Sequence, residues 1–166
     1  GLLSVSGRVA PLLELGAGFR PDLTGREYIF FNGAIMGLTR AEIENRIDKI
    51  IDFADIGEFI DAPLHTYSSG MRGRLGFAVA VEVDAEILLV DETLSVGDEA
   101  FRTKAEARTR EFFSTNRTVI LVSHAIRQVR DLCKRAIYLR AGKIVADGPS
   151  EKVVEQYLRD ARSNSQ

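Results

Sequence analysis

The sequence has one cysteine, Cys133, so no internal disulfide can form, and a lone thiol fits a reducing compartment. No apolar run approaches the roughly 18–20 residues that a membrane-spanning helix needs. The longest candidate, Leu75 to Val90, is interrupted by Glu82, Asp84 and Glu86. No basic segment followed by an apolar block opens the chain, so no secretory signal is expected. Neither sign of charge dominates. The 22 Lys and Arg face 24 Asp and Glu, a formal net charge of -2. That balance gives no bulk field for nucleic acid or an anionic membrane, and no nucleic-acid partner is expected. Internal repeats and low-complexity blocks are also absent. So is any G-x-x-x-x-G-K-[ST] run, hence there is no glycine cradle for phosphates and no lysine to reach them.

What is present is 166 residues, 45% hydrophobic and 28% charged, enough for one compact globular domain. One stretch organises the rest. The polar turn Tyr67-Ser68-Ser69-Gly70-Met71-Arg72 opens a helix of about fifteen residues. The helix feeds the branched aliphatic run Ile87 to Val90, which ends in Asp91 and Glu92. So short a run predicts a strand buried on both faces, as in a parallel sheet covered by helices. Ligand sites in such sheets lie at the carboxyl ends of the strands. One carboxylate there can hold Mg2+, largely through water, while its neighbour polarises an attacking water. The plainer reading is a buried strand that ends in acids. Serine hydroxyls and free N–H groups at a helix start form an anion site, and Gly70 lets the backbone approach a phosphate. The plainer reading there is an ordinary helix cap.

Together the two pieces resemble the signature motif and Walker B strand of ABC-type ATPases. The family's signature reads L-S-G-G-Q, and Tyr67, Ser68, Ser69, Gly70 and Met71 fill those places. This variant looks like the branch that exports polysaccharides such as O-antigen, capsule and teichoic acid. The resemblance implies an α/β fold of the P-loop NTPase (RecA-like) kind, a mostly parallel sheet flanked by helices. It makes residues 1–166 a partial ABC ATPase domain, with a helical subdomain over about 24–83 between an N-terminal Q-loop segment and the Walker B and H-loop core. It implies ATP and Mg2+ as ligands, with Asp91 on the metal and Glu92 as general base. Ser68, Ser69 and Gly70 would contact the nucleotide held by the opposite subunit. The implied partners are membrane-spanning permease subunits and a second ATPase subunit, as a homodimer on the cytoplasmic face of the plasma membrane.

The remaining segments are read in order. Gly7 to Leu15 is extended, and Pro11 argues for an edge strand or an irregularity there. Gly16 to Pro21 is a loop. It resembles the family's Q-loop but carries no glutamine, and Glu14 is the nearest candidate for that role. Thr24 with Glu27, and Thr39 with Glu42, read as capping boxes opening two helices. The first helix ends near Gly37. The second carries Ile43, Ile47, Ile50, Ile51 and Ala54 and stops at Gly57. Exposed Arg20, Asp22 and Arg26 are candidate partner contacts. His65 reads as a surface or packing residue.

Thr93 to Asp98 matches the family's D-loop, with Asp98 as its aspartate; on physics alone Asp98 caps the next helix. Arg117 to Val122 reads as a second buried parallel strand, followed by Ser123 and His124. A lone histidine is more often structural. The resemblance makes His124 the H-loop histidine that senses the γ-phosphate, a role that suits an imidazole donor. Ala125 replaces the family's aspartate there. Ile126, Val129 and Cys133 share a helix face. Two short strands follow across Ala141-Gly142. Asp147 to Ser150 closes the hairpin, and a last helix runs through Leu158 before a frayed tail.

Asp91, Glu92 and His124 are intact, whereas the phosphate cradle is missing. The expectation is therefore an ATP-hydrolysing transport subunit of which this stretch alone is inactive. Two rivals stand beside it: a nucleotide-free interaction module, and a non-transport ABC protein. The latter would want basic arms or coiled-coil insertions, and neither occurs.

Overall fold

The computed structural model describes residues 1–12, 19–91, 97–115 and 117–163. Glu14 and Glu92 lie outside the described residues. The chain forms two compact units, Gly1–Ile120 and Leu121–Gln166.

Strands β1 (Val9–Leu12), β2 (Ile87–Asp91) and β3 (Thr118–Val122) form a sheet in that order. β1 and β2 run parallel, with Val9 opposite Ile87 and Leu12 opposite Val90. Pro11 stands in β1, which is an edge of the sheet among the described residues, where its missing N–H is tolerated. At the amino ends of the strands, Arg8 N–H donates to the Glu86 carboxylate at 2.7 Å and Thr118 N–H to the Glu86 carbonyl at 2.9 Å.

The helices follow local chemistry closely. Thr24 and Thr39 each close a capping box, with Glu27 and Glu42, at the starts of α1 (Gly25–Ile35) and α2 (Arg40–Glu44). Gly37, just past α1, takes φ 83, the left-handed turn that glycine adopts freely. The expected single helix from Arg40 to Gly57 is broken. It ends at Glu44 and resumes as α3 (Ile47–Ala54). The break lets the Arg46 guanidinium donate to the Glu82 carbonyl, at the end of α4 (Ser69–Glu82). α3 then ends at Asp55, which is left-handed with φ 49, rather than at Gly57. Short 3-10 turns, Gly57–Asp61 and Leu64–Thr66, fill the turn before α4.

α4 is the centre of this unit. Every residue from Leu75 to Val81 is buried, so the helix is apolar all round, as a core helix must be. α1, α3, α5 (Glu99–Ser114) and β1 pack on it. Phe53, Phe77 and Phe101 join α3, α4 and α5, their ring centroids 5.7 to 5.9 Å apart.

Burial of the strands differs from expectation. Leu88 and Val90 of β2 are buried, but Ile87 and Leu89 are only half-buried. β3 is no double-sided core strand, since Ile120 is 52% and Val122 61% exposed. The reason is position: β3 ends the sheet among the described residues, and an apolar run is buried only where another layer covers it.

The second unit contains α6 (Ile126–Leu132), strands β4 (Arg135–Arg140) and β5 (Lys143–Pro149), and α7 (Ser150–Ser163). The two strands are antiparallel. Ala141 and Gly142 carry φ 48 and 74, the paired left-handed values of a two-residue type I′ loop. Asp147 to Pro149 belong to β5 instead of leaving the hairpin, because Asp147 pairs with Ile137 and its carboxylate takes both arms of the Arg135 guanidinium at 2.7 Å. α7 also runs to Ser163, past the expected end at Leu158. It packs on the hairpin, with Tyr157 edge-on to Tyr138. Ile126, Val129 and Cys133 do share the half-buried side of α6.

Candidate functional site

Ser68 has the extended backbone of an N-cap, and its hydroxyl accepts from Met71 N–H at 3.1 Å. Ser69 and Gly70 are already in the first turn of α4, not in a loop before it. Ser68 and Ser69 are exposed and Gly70 is half-buried. First-turn N–H groups have no acceptor within an α-helix, and they carry the positive end of its dipole. The start of α4 thus presents amide donors and a hydroxyl to solvent, a surface suited to an anion.

A second helix start stands beside the first. Asp98 caps α5, its Oδ1 accepting from Phe101 N–H at 2.9 Å. A Cβ placed on Gly70 would lie 3.9 Å from the Gly97 Cα. Gly97 has φ 75, and a side chain there would meet Arg74 Cγ and Phe101 Cβ at 3.1 Å. Position 97 therefore favours glycine for its conformation, and a Cβ there would also press Arg74 and Phe101 aside by a few tenths of an ångström.

Arg74, one turn into α4, gathers three elements. Its Nε donates to the Ala54 carbonyl at 3.0 Å. Its Nη2 reaches the Asp55 carbonyl at 2.9 Å and the Asp55 carboxylate at 2.8 Å. Its Nη1 stands 3.6 Å from Asp98 Oδ2, and the guanidinium lies over the Phe101 ring at 5.1 Å. From α5, Lys104 donates to the Phe53 carbonyl at 3.1 Å. Cations from α4 and α5 thus cap the negative end of α3.

Tyr67, just before the cap, is buried and its phenol donates to the Phe59 carbonyl. Burial, with Asp61 adding to it, pushes that phenol up to about 12. Arg26 is engaged with Asp61 at 2.9 Å, so it is less available for a partner than the sequence suggested. His65 is exposed, with Nδ1 3.1 Å from the Pro21 carbonyl.

Of the other expected site residues, Asp91 and His124 are among the described ones. Asp91 is the half-buried last residue of β2. His124 is exposed after β3 and belongs to the second unit. Ser123 Oγ accepts from Ala125 N–H at 3.0 Å and leads into α6, whose N-cap Ala125 provides no side-chain bond. Among the described residues no group of three or more His, Cys, Asp or Glu converges as a metal cage. The structure thus brings Ser68, Ser69, Gly70 and Asp98 together in the first unit. Arg74 and Gly97, which sequence reasoning passed over, join them.

The family model for "ABC transporter" matches residues 6–95. The chain belongs to the ABC transporter family. Over 157 residues, 95% of the chain, it is 48% identical to the ABC transporter protein AbcA of Aeromonas salmonicida. Over the same share it is 43% identical to the O-antigen export system ATP-binding protein RfbB of Klebsiella pneumoniae. It is 40% identical to the teichoic acids export ATP-binding protein TagH of Bacillus anthracis, again over 95% of the chain. These matches span 51%, 64% and 28% of the three relatives, so the chain corresponds to only part of each. A solved ATP-binding subunit of an ABC transporter superposes with TM-score 0.73 at 19% identity, covering 90% of this chain and 62% of its own. An ATP-binding cassette solved as a post-hydrolysis dimer with ADP and Pi gives TM-score 0.65 at 20% identity, covering 86% and 63%. The fold is that of an ABC ATPase, a mixed α/β structure with a parallel strand pair and flanking helices.

Proposed function

We propose that this chain is part of the ATP-hydrolysing subunit of an exporter of cell-surface polysaccharide or a related lipid-linked glycan. The observation that carries the reading is the pairing of the α4 and α5 starts, Ser68 to Gly70 beside Gly97 and Asp98, in a chain so similar to O-antigen and teichoic acid export proteins. The subunit works as a homodimer beneath membrane-spanning permease subunits, peripheral to the cytoplasmic face of the membrane. Among the described residues no helix is long and apolar enough to cross a membrane.

In this reading the α4 start donates hydrogen bonds to the phosphates of a nucleotide held by the other subunit, and Asp98 lines the same interface. Asp91 is the acid that would hold Mg2+. A single half-exposed carboxylate suits an ion that keeps several waters. When bound, Mg2+ neutralises charge on the phosphate oxygens. Glu92 accepts the proton of the attacking water, and His124 donates a hydrogen bond to the terminal phosphate. A helical block over about 24–83 serves the permease side, and Glu14 takes the place of the family's Q-loop glutamine.

The test is a calorimetric titration of Mg-ATP into this chain and into one extended upstream with a G-x-x-x-x-G-K-[ST] segment. The extended chain is expected to bind and turn over ATP and to lose turnover on Glu92→Gln, while this chain alone does neither. Absence of binding by the extended chain overturns the reading in favour of a nucleotide-free interaction module.

A further inference from the structure

We propose that Arg74 is a positioning residue: it holds the Gly97–Asp98 turn in register with the Ser68–Gly70 turn and locks both to the end of α3. The proposal rests on the nucleotide reading above, but its central claim is about geometry within the first unit.

The Arg74 side chain is only 17% exposed. Removing a guanidinium from water is unfavourable unless its donors are matched. Here Nε takes Ala54 O, Nη2 takes the carbonyl and carboxylate of Asp55, and Nη1 faces Asp98. Only a planar, multi-donor fork can serve acceptors on two sides at once; a lysine ammonium is one point charge. As a stabilising ion pair the Asp98 contact is minor. It is 3.6 Å long and the Asp98 side chain is 65% exposed, a class of pair that contributes little. Its effect is directional. Asp98 Oδ1 is committed to Phe101 N–H, so a cation on Oδ2 fixes the rotation of the carboxylate and with it the cap of α5. The stem acts too, because its Cγ is one wall of the tight space beside Gly97, 3.1 Å from where a Cβ would stand. Arg74 lies four residues after Gly70, on the face of α4 above the signature turn. A shift of α3 therefore reaches both turns through one side chain.

The experiment separates this proposal from the nucleotide reading. Arg74→Met keeps a long apolar stem against Gly97 and Phe101 and removes the fork. Amide hydrogen exchange on the chain alone, with no nucleotide, reads the cap directly. The Phe101 amide should exchange about tenfold faster, while amides in mid-α4, such as Val79, keep their protection. The exchange effects of Arg74→Met and Asp98→Asn should be non-additive, since both act on one cap. In the upstream-extended chain, Arg74→Met should lower kcat roughly 10- to 100-fold at a nearly unchanged KM for ATP. Arg74→Lys should recover the melting temperature without recovering kcat. Unchanged Phe101 protection in a folded Arg74→Met chain overturns the proposal, as does full recovery of kcat by lysine. If the unsubstituted extended chain shows no ATPase, the nucleotide reading fails and the exchange result still decides the role of Arg74.

Discussion

The phenol of Tyr67 occupies the space that a side chain at position 25 would need. A Cβ on Gly25 would collide with the Tyr67 hydroxyl and approach the Ile60 carbonyl at 2.9 Å. The hydroxyl in turn donates to the Phe59 carbonyl. The residue before the α4 cap is thus anchored at the first residue of α1. Gly25→Ala should destabilise the unit by about 1–3 kcal/mol, the usual cost of forcing a methyl group into a packed site. Tyr67→Phe should cost about 0.5–1.5 kcal/mol, the net worth of one hydrogen bond, because the Phe59 carbonyl still accepts from Ala62 N–H at 2.9 Å. In a urea titration the double variant should lose less than the sum, because alanine at 25 already displaces the hydroxyl. Strict additivity would show that the two residues are not coupled.

How much of this was legible depended on whether the signal was local. The Thr24 and Thr39 capping boxes, the Asp98 cap and the Ala141-Gly142 loop are each written within a few residues, and each forms as read. The break at Asn45 and Arg46 was not readable, because the bond it permits goes to a carbonyl at Glu82, far along the chain. β3 reads as a core strand by composition, yet burial is decided by what covers a strand, and its own residues do not encode that. For the site, Ser68 and Asp98 announced themselves as helix caps. Arg74 looked like any charged helix residue, since its acceptors lie on α3 and α5.

Four carboxylates make the protein acid-sensitive in a stated direction. Arg8 N–H holds Glu86 below its ordinary value of 4.5, and Thr39 N–H does the same for Glu42. Hydrogen bonds from Arg26 and Arg135 hold Asp61 and Asp147 below theirs of 3.8. A depressed folded-state pKa gives stability that is present above the unfolded value and is lost as pH falls through the folded one. The urea midpoint should be level from neutral pH down to about 5 and fall below about 4.5. Glu86, Asp61 and Asp147 are exposed and Glu42 is half-exposed, so each contribution is small. Glu86 also ties Arg8, ahead of β1, to the start of β2, so Glu86→Gln should flatten the acid limb most visibly. An identical slope in that variant would assign the acid transition to other groups.

The hairpin turn leaves room for improvement. Ala141 holds φ 48, which costs a residue with a Cβ about 1–2 kcal/mol. Asparagine tolerates that conformation and suits the first place of a type I′ loop before Gly142. Ala141→Asn should stabilise the second unit by roughly 0.5–1 kcal/mol, read as a higher thermal midpoint of that unit. A lowered midpoint would mean that the turn does not adopt this geometry in solution.

Ser68 allows stability and function to be separated at a single position. Ser68→Ala removes the acceptor for Met71 N–H and should cost about 1 kcal/mol, as lost N-caps do. Ser68→Asp should keep the cap, because aspartate accepts the same bond and its charge complements the helix dipole. It would also put a negative charge where the proposed nucleotide phosphates approach. Repulsion in a partly desolvated interface is far stronger than in water. Thermal melting of the 166-residue chain should therefore rank Ser68→Asp level with the unsubstituted protein and Ser68→Ala below it. ATP turnover by the upstream-extended chain should rank them in the opposite sense, with the aspartate variant inactive and the alanine variant retaining part of its rate. If the aspartate variant turns over ATP normally, the start of α4 does not face a phosphate, and its serines serve only to begin a helix.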